Sequence, residues 1–489
     1  MKNKDLLSAI GNARDEYILE AQPETKKKKN RRPAFVSAVA AVLVIAIIGG
    51  IWLYPEGGNQ GLSPLLKTYA ISEPILPEMA KCPNEEDYMK PDGTIDYIAL
   101  DEAYDKWLNG KSELRNQYEG YNEGLDGFFG KAMEALLCDA EGENKVFSPL
   151  NLYMALGMLA EVTQGNSRKQ ILDLIGYDDI ADFRKQAKAV WSANYCDDGT
   201  AKSVMASSIW LNKDIRFRKE TLDTLAESYY AASYQGEMGT DEYDKAMQDW
   251  VNGHTGNMLD EFSSDLKTDP ETVATLFATL YFSAKWSSEF LPENTVKDIF
   301  RSPVGDMECE FMKQTLSGTL YYWGDKYTAV SKNLSGAGNM WFILPDEGVS
   351  ADELLRDKEA MEFMLSDGVR RMGKHCLINL SVPKFDVSAE TDLKKTFSDL
   401  GITDVFDRTR SDYSPLCDTQ EMFLSEAEHA ARVKIDETGC TAAAYTALIL
   451  NGTGGMPPDE VDFVLDRPFI FVVTGGGGLP LFAGVVNQP

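Results

Sequence analysis

The chain has 489 residues, 48 Lys+Arg against 77 Asp+Glu for a formal net charge of −29, and 44% hydrophobic residues. That composition supports a buried core, and its excess of acid argues against nucleic-acid binding, since no Lys/Arg stripe appears beyond one N-terminal cluster. Seven cysteines (Cys82, Cys138, Cys196, Cys309, Cys376, Cys417, Cys440) with no C-x-x-C pair argue against a disulfide scaffold and a structural zinc site, so no metal or cofactor is expected.

Residues 1–32 hold nine bases and five acids, including KKKKNRR at 26–32. From Pro33 to Pro55 the chain carries no charge (PAFVSAVAAVLVIAIIGGIWLYP), and these 23 residues would reach about 34 Å as a helix, enough for the ~30 Å hydrocarbon core. The pattern predicts a basic cytoplasmic tail over 1–32 and one transmembrane helix over 33–55, with Trp52 and Tyr54 at the far interface. The expected localisation is therefore the cell membrane, single-pass, with the bulk of the chain outside the cytoplasm. A cleaved signal peptide is the competing reading, but its apolar region is usually shorter and ends at a small-residue cleavage site. Residues 56–119 are polar and turn-rich with one short helix through ALDEAYDKWL, and read as an extracytoplasmic spacer.

From about residue 120 to 489, helical and strand patterns intermix as an α+β domain. Ser148 is placed to cap a helix with Pro149 at its first position, and Leu152, Leu156 and Leu159 follow on one face. Segments 340–345, 376–387, 430–436 and 468–486 read as strands, and Gly475–Gly478 as a hairpin turn rather than a phosphate cradle. The three histidines, His254, His375 and His429, have no G-x-S-x-G elbow to serve. Ser264-Asp265-Leu266-Lys267 matches S-x-x-K, the nucleophile motif of penicillin-binding enzymes, but S-D-N and K-T-G are absent; a polar loop is the better reading.

Residues 429–458 are the informative stretch. Ala431, Val433 and Ile435 alternate with Arg432, Lys434 and Asp436 as a strand. Beyond Gly439 the alternation resumes with small residues: Cys440, Ala442, Ala444 and Thr446 share one parity, and Thr441, Ala443 and Tyr445 the other. A strand that slides between two existing strands needs small side chains on its inward parity, and Pro is absent from 439 to 456. An ordinary surface loop ending in the NGTGGMPP tip is the competing reading.

The run Glu437-Thr438-Gly439-Cys440-Thr441-Ala442-Ala443-Ala444-Tyr445-Thr446 resembles the hinge and reactive-centre loop of the serpin family, whose pattern is Glu-x-Gly-Thr-Glu-Ala-Ala-Ala-x-Thr. The resemblance extends over about 120–489, through VFSPLNLYMALGMLAEV, YFSAKW with Trp286, LPDEG, VPKF with Lys384, LKKTFSDLGITDVF, His429 and the C-terminal DRPFIF...LFAGVVNQP. It implies a fold of three β-sheets and about nine helices with an exposed bait loop, and no catalysis. A target protease cleaves the loop, the acyl-enzyme is trapped, and the loop inserts into the main sheet as a new strand.

Counting along the family register from Glu437 puts the scissile bond at Thr453–Gly454, which suits an elastase-like or subtilisin-like protease; Leu450 is the alternative bait, for a chymotrypsin-like or papain-like enzyme. The resemblance pairs Lys384 with Glu437 beside Trp286, and assigns Ser148 and His429 to the cluster where the main sheet opens. Three positions depart from the pattern: Cys440 replaces a Thr or Ser, Tyr445 an Ala, and Ala278 a strand Asn, for which Asn151 is expected to supply the missing amide to His429. The expected partners are a serine or cysteine protease and the membrane, with the chain a monomer. The alternative within the family is a non-inhibitory binding module, which bulky, charged or Pro residues at the inward hinge positions would mark; they are missing.

Overall fold

The structure, a computed structural model, describes residues 40–50, 64–366, 373–419, 421–439 and 459–489. The alternation at 430–436 is realised in a longer strand, where Ala431, Val433 and Ile435 are buried and Arg432 and Lys434 turn outward to Asp386. Ser148 caps the helix Pro149–Glu161, its hydroxyl accepting from Asn151 N–H at 3.2 Å, and every residue of that helix is buried.

Two hydrogen-bonded sheets result. The main sheet has eight strands, in the order β13 (Phe385–Asp392), β14 (Phe423–Ile435), β1 (Ala40–Gly50), β7 (Thr272–Ala284), β5 (Ala201–Asn212), β6 (Ala231–Gly236) and β2 (Ala70–Ser72), with β4 (Cys196–Asp197) beside the start of β5. The other has nine strands: β15 (Glu460–Val464), β12 (Gly373–Pro383), β9 (Gly305–Trp323), β10 (Tyr327–Leu334), β11 (Gly338–Pro345), β16 (Phe469–Thr474), β17 (Pro480–Val486) and β3 (Lys145–Phe147), with β8 (Thr295–Ser302) also on β9. The three expected sheets are present within these two ladders, because β9, 19 residues long, runs from pairing with β8 and β12 into pairing with β10 and so joins two of them. The described residues hold twelve α-helices against about nine expected. Two of the extra three precede residue 120, and Asp260–Ser263 is a single turn. Gly475–Gly478 closes the β16–β17 hairpin, Gly475 N–H donating to Leu479 O at 2.9 Å.

The N-terminal part departs from the expected pattern in two places. Residues 40–50, inside the span expected as a membrane helix, form a strand parallel to both neighbours, from Ala40 beside Thr272 and Phe423 to Gly50 beside Lys434. An uncharged run rich in Val and Ile suits a strand flanked on both edges, because the slot between β7 and β14 offers ladder partners on each side and parallel strands read as continuous apolar runs. Residues 1–39 and 51–63 lie outside the described residues. Among the described residues no helix is long and apolar enough to cross a membrane.

The second departure is in the spacer, which from Pro64 onward is folded against the domain. Helix α1 (Pro64–Tyr69) buries Leu66 in a cluster with Trp210, Tyr234 and Tyr243, and β2 adds an edge strand to β6. Helix α2 (Tyr97–Arg115) is longer than expected. Its inward stripe of Leu100, Tyr104, Trp107, Lys111 and Leu114 follows helical spacing. Lys111 forms a buried ion pair with Asp198, which is 0% exposed. The second Asp198 oxygen accepts from Thr200 N–H, Thr200 Oγ1 and Ala201 N–H at 3.0, 2.8 and 2.9 Å. Trp107 Nε1–H reaches the carboxylate at 3.1 Å. The local sequence gives no sign of this docking because the partner that α2 buries against, Asp198, lies about ninety residues further along the chain.

Candidate functional site: the loop hinge and the cluster beneath it

β14 ends at Ile435, and four residues, Asp436 to Gly439, carry the chain to the last described position before the loop. Each is fixed by a different contact. Trp286, buried, donates its indole N–H to Asp436 O at 2.9 Å. Asp436 Oδ1 accepts from Thr438 N–H and Oγ1 at 3.0 and 2.7 Å, an Asx-type turn. Glu437 O accepts from Phe290 N–H at 2.9 Å. Gly439 has φ +74°, and a Cβ there would lie 2.3 Å from Trp286 N, so only glycine fits between this turn and the strand end.

Glu437 is the electrostatic centre of the hinge. Its Oε1 is 2.7 Å from Lys384 Nζ and accepts from Thr295 Oγ1 at 2.7 Å, while Lys384 also donates to Glu310 Oε2 at 3.0 Å. Partial burial opposes the charge on Glu437, yet the hydrogen bonds from Lys384 and Thr295 and the ammonium's field outweigh it and hold the carboxyl below its ordinary value. Lys384 is raised by the same pairing against the same burial cost. Beside them, Lys332 is buried with its Nζ 5.5 Å from the Trp286 ring centroid and 4.4 Å from that of Phe290. It donates to Ser288 O at 2.7 Å and to Gln314, and burial pushes its pKa down to about 7. Sequence reasoning missed Lys332, because a single Lys in the strand pattern TAVSKNL gives no sign of facing two rings.

Below the hinge, His429 is fully buried in β14 and burial pushes it down to about 3, a neutral imidazole. Ser148 N–H donates to its Nε2 at 3.4 Å, and its Nδ1 has no partner among the described residues. Asn151 does not partner His429 as expected: its amide donates to the Ala278 carbonyl at 3.0 Å. Ser148, Asn151, Ala278 and His429 are thus brought together, although not in the expected pairing.

The expected loop residues Cys440, Thr441, Ala442, Ala443, Ala444, Thr446, Thr453 and Gly454, with Tyr445 and Leu450, lie outside the described residues. The chain resumes at Asp459, whose carbonyl accepts from Leu377 N–H at 2.8 Å and whose carboxylate pairs with Lys374 before β15 joins β12. Ser264 and Lys267 sit on an exposed turn before β7, apart from this site. No His/Cys/Asp/Glu group among the described residues could hold a metal ion.

The family model for "Serpin (serine protease inhibitor)" matches residues 126–489. Neuroserpin from Homo sapiens is 27% identical over 374 residues, covering 72% of this chain and 88% of that protein. Plasminogen activator inhibitor 1 from Sus scrofa is 25% identical over 378 residues, covering 73% and 90%. Among solved structures, the thermophilic serpin tengpin in its native state superposes with TM-score 0.67 at 26% identity, covering 76% of this chain and 95% of tengpin.

Proposed function

This chain belongs to the serpin family of serine protease inhibitors, a family that inhibits rather than catalyses, and on that premise we propose that it is a suicide-substrate inhibitor held at a cell surface. The observation that carries the reading is the hinge: Glu437 tied to Lys384 and Gly439 packed on Trp286 mark where a loop of small residues leaves β14, next to the slot it would enter. In this reading the protease attacks at Thr453–Gly454, and the strand from Cys440 to Thr446 inserts beside β14 before the acyl-enzyme hydrolyses. The small primary residue favours an elastase-like or subtilisin-like protease.

The inserting strand needs the place that residues 40–50 hold. We assign residues 33–55 to the membrane in the cell, where a helix satisfies all its own backbone groups in hydrocarbon and the preceding basic cluster stays cytoplasmic. That assignment leaves the slot to the loop.

The test is incubation of the full chain, and of a form lacking residues 1–62, with a panel of serine and cysteine proteases. An SDS-stable complex is expected from both, with a released C-terminal peptide beginning at Gly454. Ala442→Arg should convert inhibitor to substrate, because a buried unpaired charge opposes insertion by several kcal/mol. Cleavage near 450–454 without any stable complex would reject the inhibitory reading.

A further inference from the structure

We propose that the exposed face of β8, β9, β12 and β15 is a second contact site for the target protease, and that it selects a protease carrying Lys or Arg on the rim of its active cleft. Resting on the inhibitory reading, this adds a requirement on the partner that the cleaved residue alone does not set.

The two ends of the bait loop fix where the face lies. On the outgoing side Glu437 accepts from Thr295, the first residue of β8. On the returning side the Asp459 carbonyl accepts from Leu377 N–H in β12, and β15 begins at the next residue. β8 pairs with β9, β9 with β12 and β12 with β15, so the four strands lie side by side between the two loop ends. Gly454 is five residues before Asp459, a separation of at most about 18 Å. Asp462 is three residues along from Asp459, about 10 Å further. A protease seated on Thr453–Gly454 with an ordinary footprint of about 800 Å², roughly 30 Å across, has this face within reach of its rim.

The chemistry of the face sets the chemistry of the partner. A groove of about 520 Å³ crosses all four strands, with Glu293 and Val296 at the β8 side, Lys313, Thr315 and Asn379 between, and Asp462 at the β15 side. The carboxylates beside β12 are held in place: the Asn379 amide nitrogen donates to Asp462 Oδ1 and to Glu460 Oε1, both at 2.9 Å, and its oxygen accepts from Thr315 Oγ1 at 3.0 Å. Lys313 is the one base among the described lining residues, and Asp298 already engages it at 3.4 Å. Glu293, Glu460 and Asp462 are exposed, with no Lys or Arg partner among the described residues. Covering such carboxylates with an acidic or apolar surface costs their hydration and returns nothing, whereas a Lys or Arg rim replaces the lost water with charge-assisted hydrogen bonds. Val296, 40% exposed, offers apolar contact at the other side of the groove.

The experiment takes the full chain and the protease of the panel that forms the SDS-stable complex fastest, and measures the association rate constant for Asp462→Lys, Glu293→Lys and a charge-matched control, Glu134→Lys. Glu134 is exposed on the helix Asp126–Leu137, which packs at β3, the opposite edge of the nine-stranded sheet from β15. At low ionic strength each face variant should associate several-fold more slowly than the parent, and the difference should shrink as salt is added. Inhibitory stoichiometry, thermal unfolding and the Glu134→Lys rate should stay at the parent values. The neutral variant Asp462→Asn should show a smaller loss in the same direction. Complex formation at the parent rate in both face variants, or an equal loss in the control, would overturn the second contact site and leave the inhibitory reading standing. Self-association of the parent chain that Asp462→Lys abolishes would give the face to a second copy and overturn it too. No complex with any protease of the panel would overturn the inhibitory reading, and this proposal with it.

Discussion

Replacing Glu437 by Lys should release the hinge. In the folded protein the carboxylate accepts from Lys384 and Thr295, and its side chain is 15% exposed against 30% for Lys384. Losing one charge-assisted hydrogen bond costs about 1.5–3 kcal/mol and a neutral one about 1. Lys384 keeps Glu310 at 3.0 Å, so it is not left as an unpaired charge, and partial exposure screens the loss. The neutral variant Glu437→Gln should therefore cost about 1–2 kcal/mol, and Glu437→Lys, which sets two ammonium groups together, about 2–4 kcal/mol. Native electrophoresis of samples warmed below the unfolding midpoint should show loop-inserted or polymeric forms earlier for Lys than for Gln, with inhibitory activity lost in step. Acid supplies an independent reading. Because the folded Glu437 titrates below its ordinary value of 4.5, its contribution is present above that pH and lost as the pH falls through the lower folded value. Glu437→Gln should lose that segment of acid sensitivity. If both variants stay monomeric, inhibitory and unchanged in pH dependence, the Lys384–Glu437 contact is not what restrains the hinge.

Lys111→Met strands the Asp198 carboxylate among neutral donors and should destabilise the domain by about 2–4 kcal/mol, whereas adding Asp198→Asn should recover much of the loss; denaturant unfolding of the single and double variants tests this. His429 titrates near 3 when folded against 6.5 ordinarily, so its contribution is present above the ordinary value and lost as pH falls toward 3; His429→Asn should flatten thermal stability across that window. Gly439→Ala places a Cβ 2.3 Å from Trp286 N at a left-handed φ. It should cost about 2–4 kcal/mol and shift Trp286 fluorescence, and an unshifted spectrum would show that the turn does not pack as described.

The α+β class, the helix cap at Ser148, the alternation of β14 and the glycine hairpin at 475–478 were legible because each depends on neighbours within a few residues. The hinge was legible for the same reason: Glu437 and Gly439 belong to one contiguous run, and the need for glycine follows from a turn that ends a strand. The partners were not. Asn151 donates to Ala278 O instead of His429, and Lys332 sits over Trp286 and Phe290, because side-chain reach across packed elements has no periodicity to read. The N-terminal part shows the sharpest division. Its sequence determined that residues 33–55 must be hidden from water, since 23 uncharged residues have no polar face to offer. It also marked α2 as helical. Only the tertiary structure decided that α2 is part of the domain, because the carboxylate that makes Lys111 a buried residue comes from Asp198, and a charge far along the chain leaves no trace in the local pattern that it will neutralise.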